Sequence, residues 1–201
     1  MNDLYKTIEK ESQGYFKDKG SKFFSFAYPL NREEEVKDII EKLKKEHHSA
    51  RHHCYAWRLG TEEIRHRAND DGEPSSTAGK PILGQIQSFE LTNILVVVVR
   101  YFGGTLLGVS GLINAYRNAA FEALNVAGIV EKLIEKKYQI RFTYEEMNDV
   151  MQIIKQENYN IIDTDFREDC TILFSVRKSE AEKAEKIFSA FYKIQMEEIP
   201  G

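Results

Sequence analysis

Three segments of this chain hold residue types that packing alone does not explain. The first is Asp70-Asp71-Gly72-Glu73-Pro74-Ser75-Ser76-Thr77-Ala78-Gly79-Lys80-Pro81, rich in carboxylates and hydroxyls and without a large apolar side chain to anchor it. Hydroxyls and backbone amides ahead of a helix N-terminus, joined by Lys80, are the makings of an anion site. Asp70, Asp71 and Glu73 are oxygen ligands for a divalent ion, but the spacing is not that of an EF-hand. The alternative is a surface turn in which Asp71 and Ser75 bond their own backbone and Ser76 or Thr77 caps the next helix. Proline after Gly79-Lys80 and the glycine spacing exclude a P-loop.

The second segment, Arg100-Tyr101-Phe102-Gly103-Gly104-Thr105-Leu106-Leu107-Gly108-Val109-Ser110-Gly111, runs from an apolar strand through a glycine-rich turn into a helix. Converging amides at such a turn can cradle phosphate. The spacing is not that of a dinucleotide fingerprint. Equally, the glycines can serve close helix–sheet packing and positive φ angles. Arg100 and Tyr101 leave the strand as a ligand-facing pair, and Asn114 and Arg117, three residues apart, are expected to face the same cleft.

The third segment contains His47, His48 and Arg51-His52-His53-Cys54-Tyr55-Ala56-Trp57-Arg58, with four of the five histidines. Strand alternation puts His53, Tyr55 and Trp57 on one face and His52, Cys54 and Ala56 on the other. One cysteine is too few for a tetrahedral zinc site, and Cys54 reads more simply as a small core residue than as a nucleophile served by His52 or His53 and Asp71. Arg51, His52, His53, Arg58, Arg65, His66 and Arg67 form a basic cluster interleaved with Tyr55 and Trp57, which suits nucleic acid: charge tracks phosphate and aromatics stack on bases. A solvated sheet edge is the alternative.

These segments need elements to hold them. Tyr5–Phe16 and Ser21–Tyr28 are expected to form a hairpin turning at Asp18-Lys19-Gly20, and Asn31 to cap a helix through Lys45. Strands follow at His53–Arg58 and Ile64–Arg67, a helix at Lys80–Phe89, a buried strand at Ile94–Arg100 and a helix at Gly108–Val126. Together they make an α+β domain over residues 1–132. Residues 133–201 read β-α-β-β-α-β, a ferredoxin-like order. Their strands are Ile134–Tyr144, Asn160–Phe166, Thr171–Val176 and Lys193–Ile199, with a turn at Arg167-Glu168-Asp169. Their helices are Glu145–Glu157 and one capped by Ser179.

Composition bounds the function. The 201 residues carry 28 basic and 32 acidic side chains, a net charge of −4 that excludes indiscriminate electrostatic binding to nucleic acid or membrane. The acid excess belongs to residues 133–201, while residues 1–132 are balanced at 18 basic and 18 acidic. Two distant cysteines, the absence of a signal-like N-terminus over Met1 to Lys10 and the lack of any apolar run near the ~20 residues of a bilayer span predict a reduced, cytoplasmic protein. No cofactor motif is present.

Arg51 through Trp57, Asp70 through Leu83, and Val98 through Leu112 with Ala115-Tyr116 together resemble the YigZ/IMPACT family, over about residues 15–127. Members usually carry glycine where Ser76 and Ser110 stand here; serine keeps a small residue and adds a hydroxyl. The resemblance implies an N-terminal domain similar in fold to the second domain of a small-subunit ribosomal protein and to domain IV of elongation factor G. It also implies a C-terminal domain similar to domain V of that factor. Eukaryotic members regulate translation, and no well-established enzymatic activity comes with the family. The paired metal ligands that a Xaa-Pro dipeptidase needs are missing here.

The expected function is a non-catalytic, translation-associated protein that binds RNA, the ribosome or a translation-related protein through residues 1–132. The expected binding residues are Arg51, His52, His53, Tyr55, Asp71, Gly72, Glu73, Ser75, Thr77, Lys80, Arg100, Tyr101, Phe102, Gly103, Gly104, Gly108, Asn114 and Arg117. The competing expectation is an enzyme or a binder of a small anionic ligand in a cleft between Asp71–Lys80 and Arg100–Gly108.

Overall fold

The computed structural model describes residues 3–167 and 169–199. The chain opens with β1 (Leu4–Ile8) and continues into a hairpin of β2 (Ser12–Asp18) and β3 (Ser21–Pro29). Lys19 and Gly20 both take positive φ, 42° and 82°, as a two-residue hairpin turn requires. The single strand expected over Tyr5–Phe16 is therefore two, broken at Glu9-Lys10-Glu11. Helix α1 (Glu35–Glu46) buries Val36 and Leu43. It starts later than expected: Asn31 does not cap it, and the Asn31 amide instead points to the Glu35 carboxylate.

β4 (His52–Leu59), β5 (Arg65–Asn69), α2 (Gly79–Ser88), β6 (Ile94–Tyr101), α3 (Gly108–Asn125) and β7 (Ile129–Leu133) follow. Five strands form one antiparallel sheet in the order β2-β3-β6-β4-β5. Every residue of β6 except Tyr101 is buried, because the central strand is covered on both faces. On one face Phe23, Cys54, Ala56, Val96 and Val98 pack under α2 and α3. On the other, Phe26, Trp57, Leu95, Val97 and Val99 pack with α1 residues Val36 and Leu43. β1 pairs with β7 in a separate two-stranded ribbon.

Contacts divide the described residues into one compact unit over Tyr5–Lys132 and a second that gathers those from Leu133 to Ile199 together with Asp3 and Leu4. The second contains β8 (Glu135–Phe142), α4 (Met147–Gln156), β9 (Asn160–Asp165), β10 (Cys170–Arg177), α5 (Ala181–Ser189) and β11 (Gln195–Ile199). Its sheet order β11-β8-β10-β9, antiparallel throughout, is the ferredoxin-like arrangement. Tyr138, Ile140, Phe142, Ile172 and Phe174 form its core with Val150, Ile154 and Phe188 from the helices. The expected cap at Ser179 is not made, since Ser179 lies inside a short 3-10 turn over Lys178–Glu180. The capping box is at Thr143 and Glu146 instead. The turn expected at Arg167-Glu168-Asp169 includes Glu168, which lies outside the described residues.

Candidate functional site

Asp70 organises the loop ahead of α2. Its carboxylate accepts from the amides of Ser76 (2.8 Å), Ala78 (3.0 Å) and Gly79 (2.8 Å). Those are the N-terminal donors that an anion would have used, so the expected anion site around Ser75, Thr77 and Lys80 is already filled from within. Thr77 is buried and donates to the Pro74 carbonyl at 2.6 Å. Ser75 and Lys80 are exposed. Neither Ser76 nor Thr77 caps the helix; Asp70, reached from several residues back, takes that role.

The loop is then tied to the sheet through charge. Glu73 Oε1 accepts from Arg100 Nη1 at 2.7 Å and from the Tyr116 hydroxyl at 2.8 Å. Both side chains of the ion pair are nearly inaccessible, 4% exposed for Glu73 and 7% for Arg100. The Cys54 thiol donates to the Asp70 carbonyl at 3.0 Å and approaches the Tyr116 hydroxyl at 3.3 Å. Burial pushes the Cys54 thiol up from its ordinary pKa, and the Tyr116 hydroxyl likewise. Fully buried and hydrogen-bonded, Cys54 packs as a core group.

Asp71 works in the other direction, along β4. Its carboxylate accepts from the His53 amide at 2.7 Å and lies 3.7 Å from Lys44, while its carbonyl faces His52 Nδ1 at 2.9 Å. Gly72, at φ +86°, lets the chain turn beside the His52 ring. His53 and Trp57 are both 4% exposed and Tyr55 is half-buried, all on the α1 face. The expected stacking platform of basic and aromatic side chains on β4 is thus not a free surface. Burial holds the His53 imidazole below its ordinary pKa, against the opposing pull of Asp71.

Arg100 and Tyr101 are not a pair facing one ligand. Alternation sends Arg100 to the α3 face, against Phe23, and Tyr101 to the α1 face, where its hydroxyl meets His47 Nδ1 at 2.8 Å. Gly103 is fixed by packing: a Cβ there would lie 1.9 Å from the Gly20 carbonyl carbon. Gly104 and Gly108 take φ of +87° and +72° with open space around them. Asn114 and Arg117 lie on the exposed side of α3 and line no part of the cleft.

What these residues do build is a groove of about 490 Å³ where β6 gives way to α3. Its polar side is Arg51, His52, Glu73 and Arg100, and its apolar side includes Pro74, Phe102, Leu106 and Val109. Phe102, Leu106 and Val109 are 56%, 83% and 60% exposed, an unusual concentration of solvated apolar surface. The first turn of α3 has no side-chain cap. A second, aromatic pocket of about 340 Å³ adjoins it, lined by Gly20, Lys22, Phe24, His47, Tyr101 and Phe102. Leu106, Val109, Phe24 and Lys22 were not among the expected site residues. The apolar residues flanking the glycine run were the only sequence signal for the first two. Among the described residues, no group of His, Cys, Asp and Glu is arranged to hold a metal ion, and no helix is long and apolar enough to cross a membrane.

The groove and its network lie inside a stretch, residues 19–124, that matches the Impact N-terminal domain family. The chain belongs to the IMPACT family. Over 174 residues it is 33% identical to an IMPACT family member of Haemophilus influenzae, covering 86% of this chain and 82% of that protein. It is 39% identical over 132 residues to the IMPACT family member YvyE of Bacillus subtilis, a match spanning 66% of this chain and 61% of that relative's length. A crystal structure of a hypothetical protein aligns with a TM-score of 0.72 at 27% identity, covering 100% of this chain and 99% of the other. IMPACT membership also gives Ser76 a physical meaning. It stands at φ 66°, a left-handed conformation that suits the glycine usual in the family.

Proposed function

We propose that this IMPACT family protein is a non-catalytic translation regulator that binds single-stranded RNA at the rim between β6 and α3. The translation context comes from the family resemblance, whose eukaryotic members regulate translation. The RNA reading is supported by one observation above all: the most solvated aromatic of the unit, Phe102, stands beside Arg51, His52 and an uncapped helix N-terminus. The one carboxylate there, Glu73, is already neutralised by Arg100. Exposed rings offer every base a stacking face, while cations and helix amides follow the backbone. The chain's net charge of −4 does not oppose this, because the rim is a local surface.

The test is fluorescence anisotropy with a labelled oligoribonucleotide across about 50 to 200 mM salt. Affinity is expected to fall with salt, and Arg51→Ala to lower the slope by roughly 0.7, the contribution of one single-strand phosphate contact. No binding at low salt removes the RNA reading. Stabilisation by mononucleotides alone would favour a small-ligand role in the same groove.

A further inference from the structure

We propose that the rim seats a single nucleotide step in two parts: a base in the aromatic pocket against Phe102, and its phosphate in the cationic groove at the start of α3. The inference rests on the RNA reading above and assigns the two halves of the ligand to two different cavities. Phe102 lines both cavities and so forms the ridge between them. The Arg100 guanidinium lies over the Phe102 ring at 5.7 Å from its centroid. The Arg100 side of Phe102 thus has a cation in place, and the base is assigned to the other side, among Phe24, His47 and Tyr101. These rings already form an ordered cluster: Phe24 and Tyr101 meet edge to face at 5.7 Å, and His47 is tilted against Phe24 at 5.7 Å. Pre-formed aromatic walls lose little entropy on binding a flat ring.

The groove side carries the opposite chemistry. The helix α3 begins at Gly108 without a side-chain cap, so its first amides are free to meet an anion. Arg100 also lines the groove; its Nη1 is committed to Glu73, while its Nε, buried in a residue only 6% exposed, has no hydrogen-bond partner. Arg51 stands exposed at the mouth. In the turn after Phe102, a Cβ added at Gly104 would meet nothing within 4 Å, so that face of the turn is open. Both volumes fall within the range of small-ligand sites.

The experiment compares a hexameric oligoribonucleotide with an abasic strand of the same length, each against the full chain and its Phe102→Ala variant. Phe102→Ala is expected to weaken the hexamer about tenfold, the order of one lost stacking contact, without changing the salt slope. It should leave the abasic strand unaffected, and Phe102→Trp should restore the hexamer. Unchanged circular dichroism and Trp57 fluorescence would show that the variant folds. Equal hexamer binding by the native chain and Phe102→Ala, or equal loss for both strands, overturns the two-part seat while leaving RNA binding itself intact. If the native chain binds neither strand, both proposals fall. If Phe102→Ala abolishes capture of a purified translation factor but not of RNA, the rim belongs to a protein partner and the seat is overturned.

Discussion

Replacing Glu73 by alanine is the sharpest perturbation of the architecture. The carboxylate sits 2.7 Å from Arg100 and 2.8 Å from the Tyr116 hydroxyl, with both members of the ion pair more than nine-tenths buried. Removing one partner strands a guanidinium in the core, which typically costs about 3–5 kcal/mol. At about 4 °C per kcal/mol for a unit of this size, the midpoint should drop by roughly 10–20 °C. The chain contains one tryptophan, Trp57, buried within the Tyr5–Lys132 unit, so its fluorescence reports that unit alone. The companion variant, Glu73→Leu with Arg100→Met, removes both charges and should recover much of the loss, because a buried ion pair is often no more stable than an apolar replacement. A Glu73→Ala midpoint within about 2 °C of the native value, less than 1 kcal/mol by the same conversion, would show that the pair is solvated and refute the reasoning.

Two further outcomes follow from the same loop and its neighbours. Ser76→Gly should stabilise by about 1 kcal/mol, since it relieves a left-handed φ of 66° while keeping the backbone bond to Asp70, and a urea midpoint measures it. His53 is held below its ordinary pKa, so the unfolded chain takes up its proton first: the imidazole's contribution to stability should be constant above about pH 6.5 and decline as pH falls below it. Urea midpoints at about pH 7.5 and 5.5 should therefore differ more for the native chain than for His53→Gln, and an equal difference would count against a buried neutral imidazole.

The sequence was most legible where each element buries one face. Tyr138, Ile140 and Phe142 alternate, Val150 and Ile154 recur at helical spacing, and the α+β class with its ferredoxin-like second half follows from that grammar. The candidate site was harder, for physical reasons. Asp70 caps α2 from outside the helix, whereas local rules look to the residues just before the first turn, here Ser76 and Thr77. Both Ser179 and Thr143 open an S/T-x-x-E pattern, and tertiary context alone decided that Thr143 makes the box. Arg100 and Tyr101 are a different case: strand alternation by itself separates such neighbours onto opposite faces. The grooves themselves join residues far apart in the chain, Gly20 with Phe102 in one and Pro74 with Phe102 in the other, and no local pattern encodes such meetings.

The ribbon of β1 with β7 has a consequence for how the chain folds as it is made. The two strands are separated by roughly 125 residues, and the Asp3 carbonyl accepts from the Ile134 amide just beyond β7. At about 5–20 residues per second of synthesis, β1 waits on the order of ten seconds for its partner. During that interval β1 lacks its β7 partner and has only the bridge from Lys6 to Leu91 to hold it, the kind of segment that recruits other chains. The charged run Glu9-Lys10-Glu11 follows it directly and is placed to act as a gatekeeper against such premature pairing.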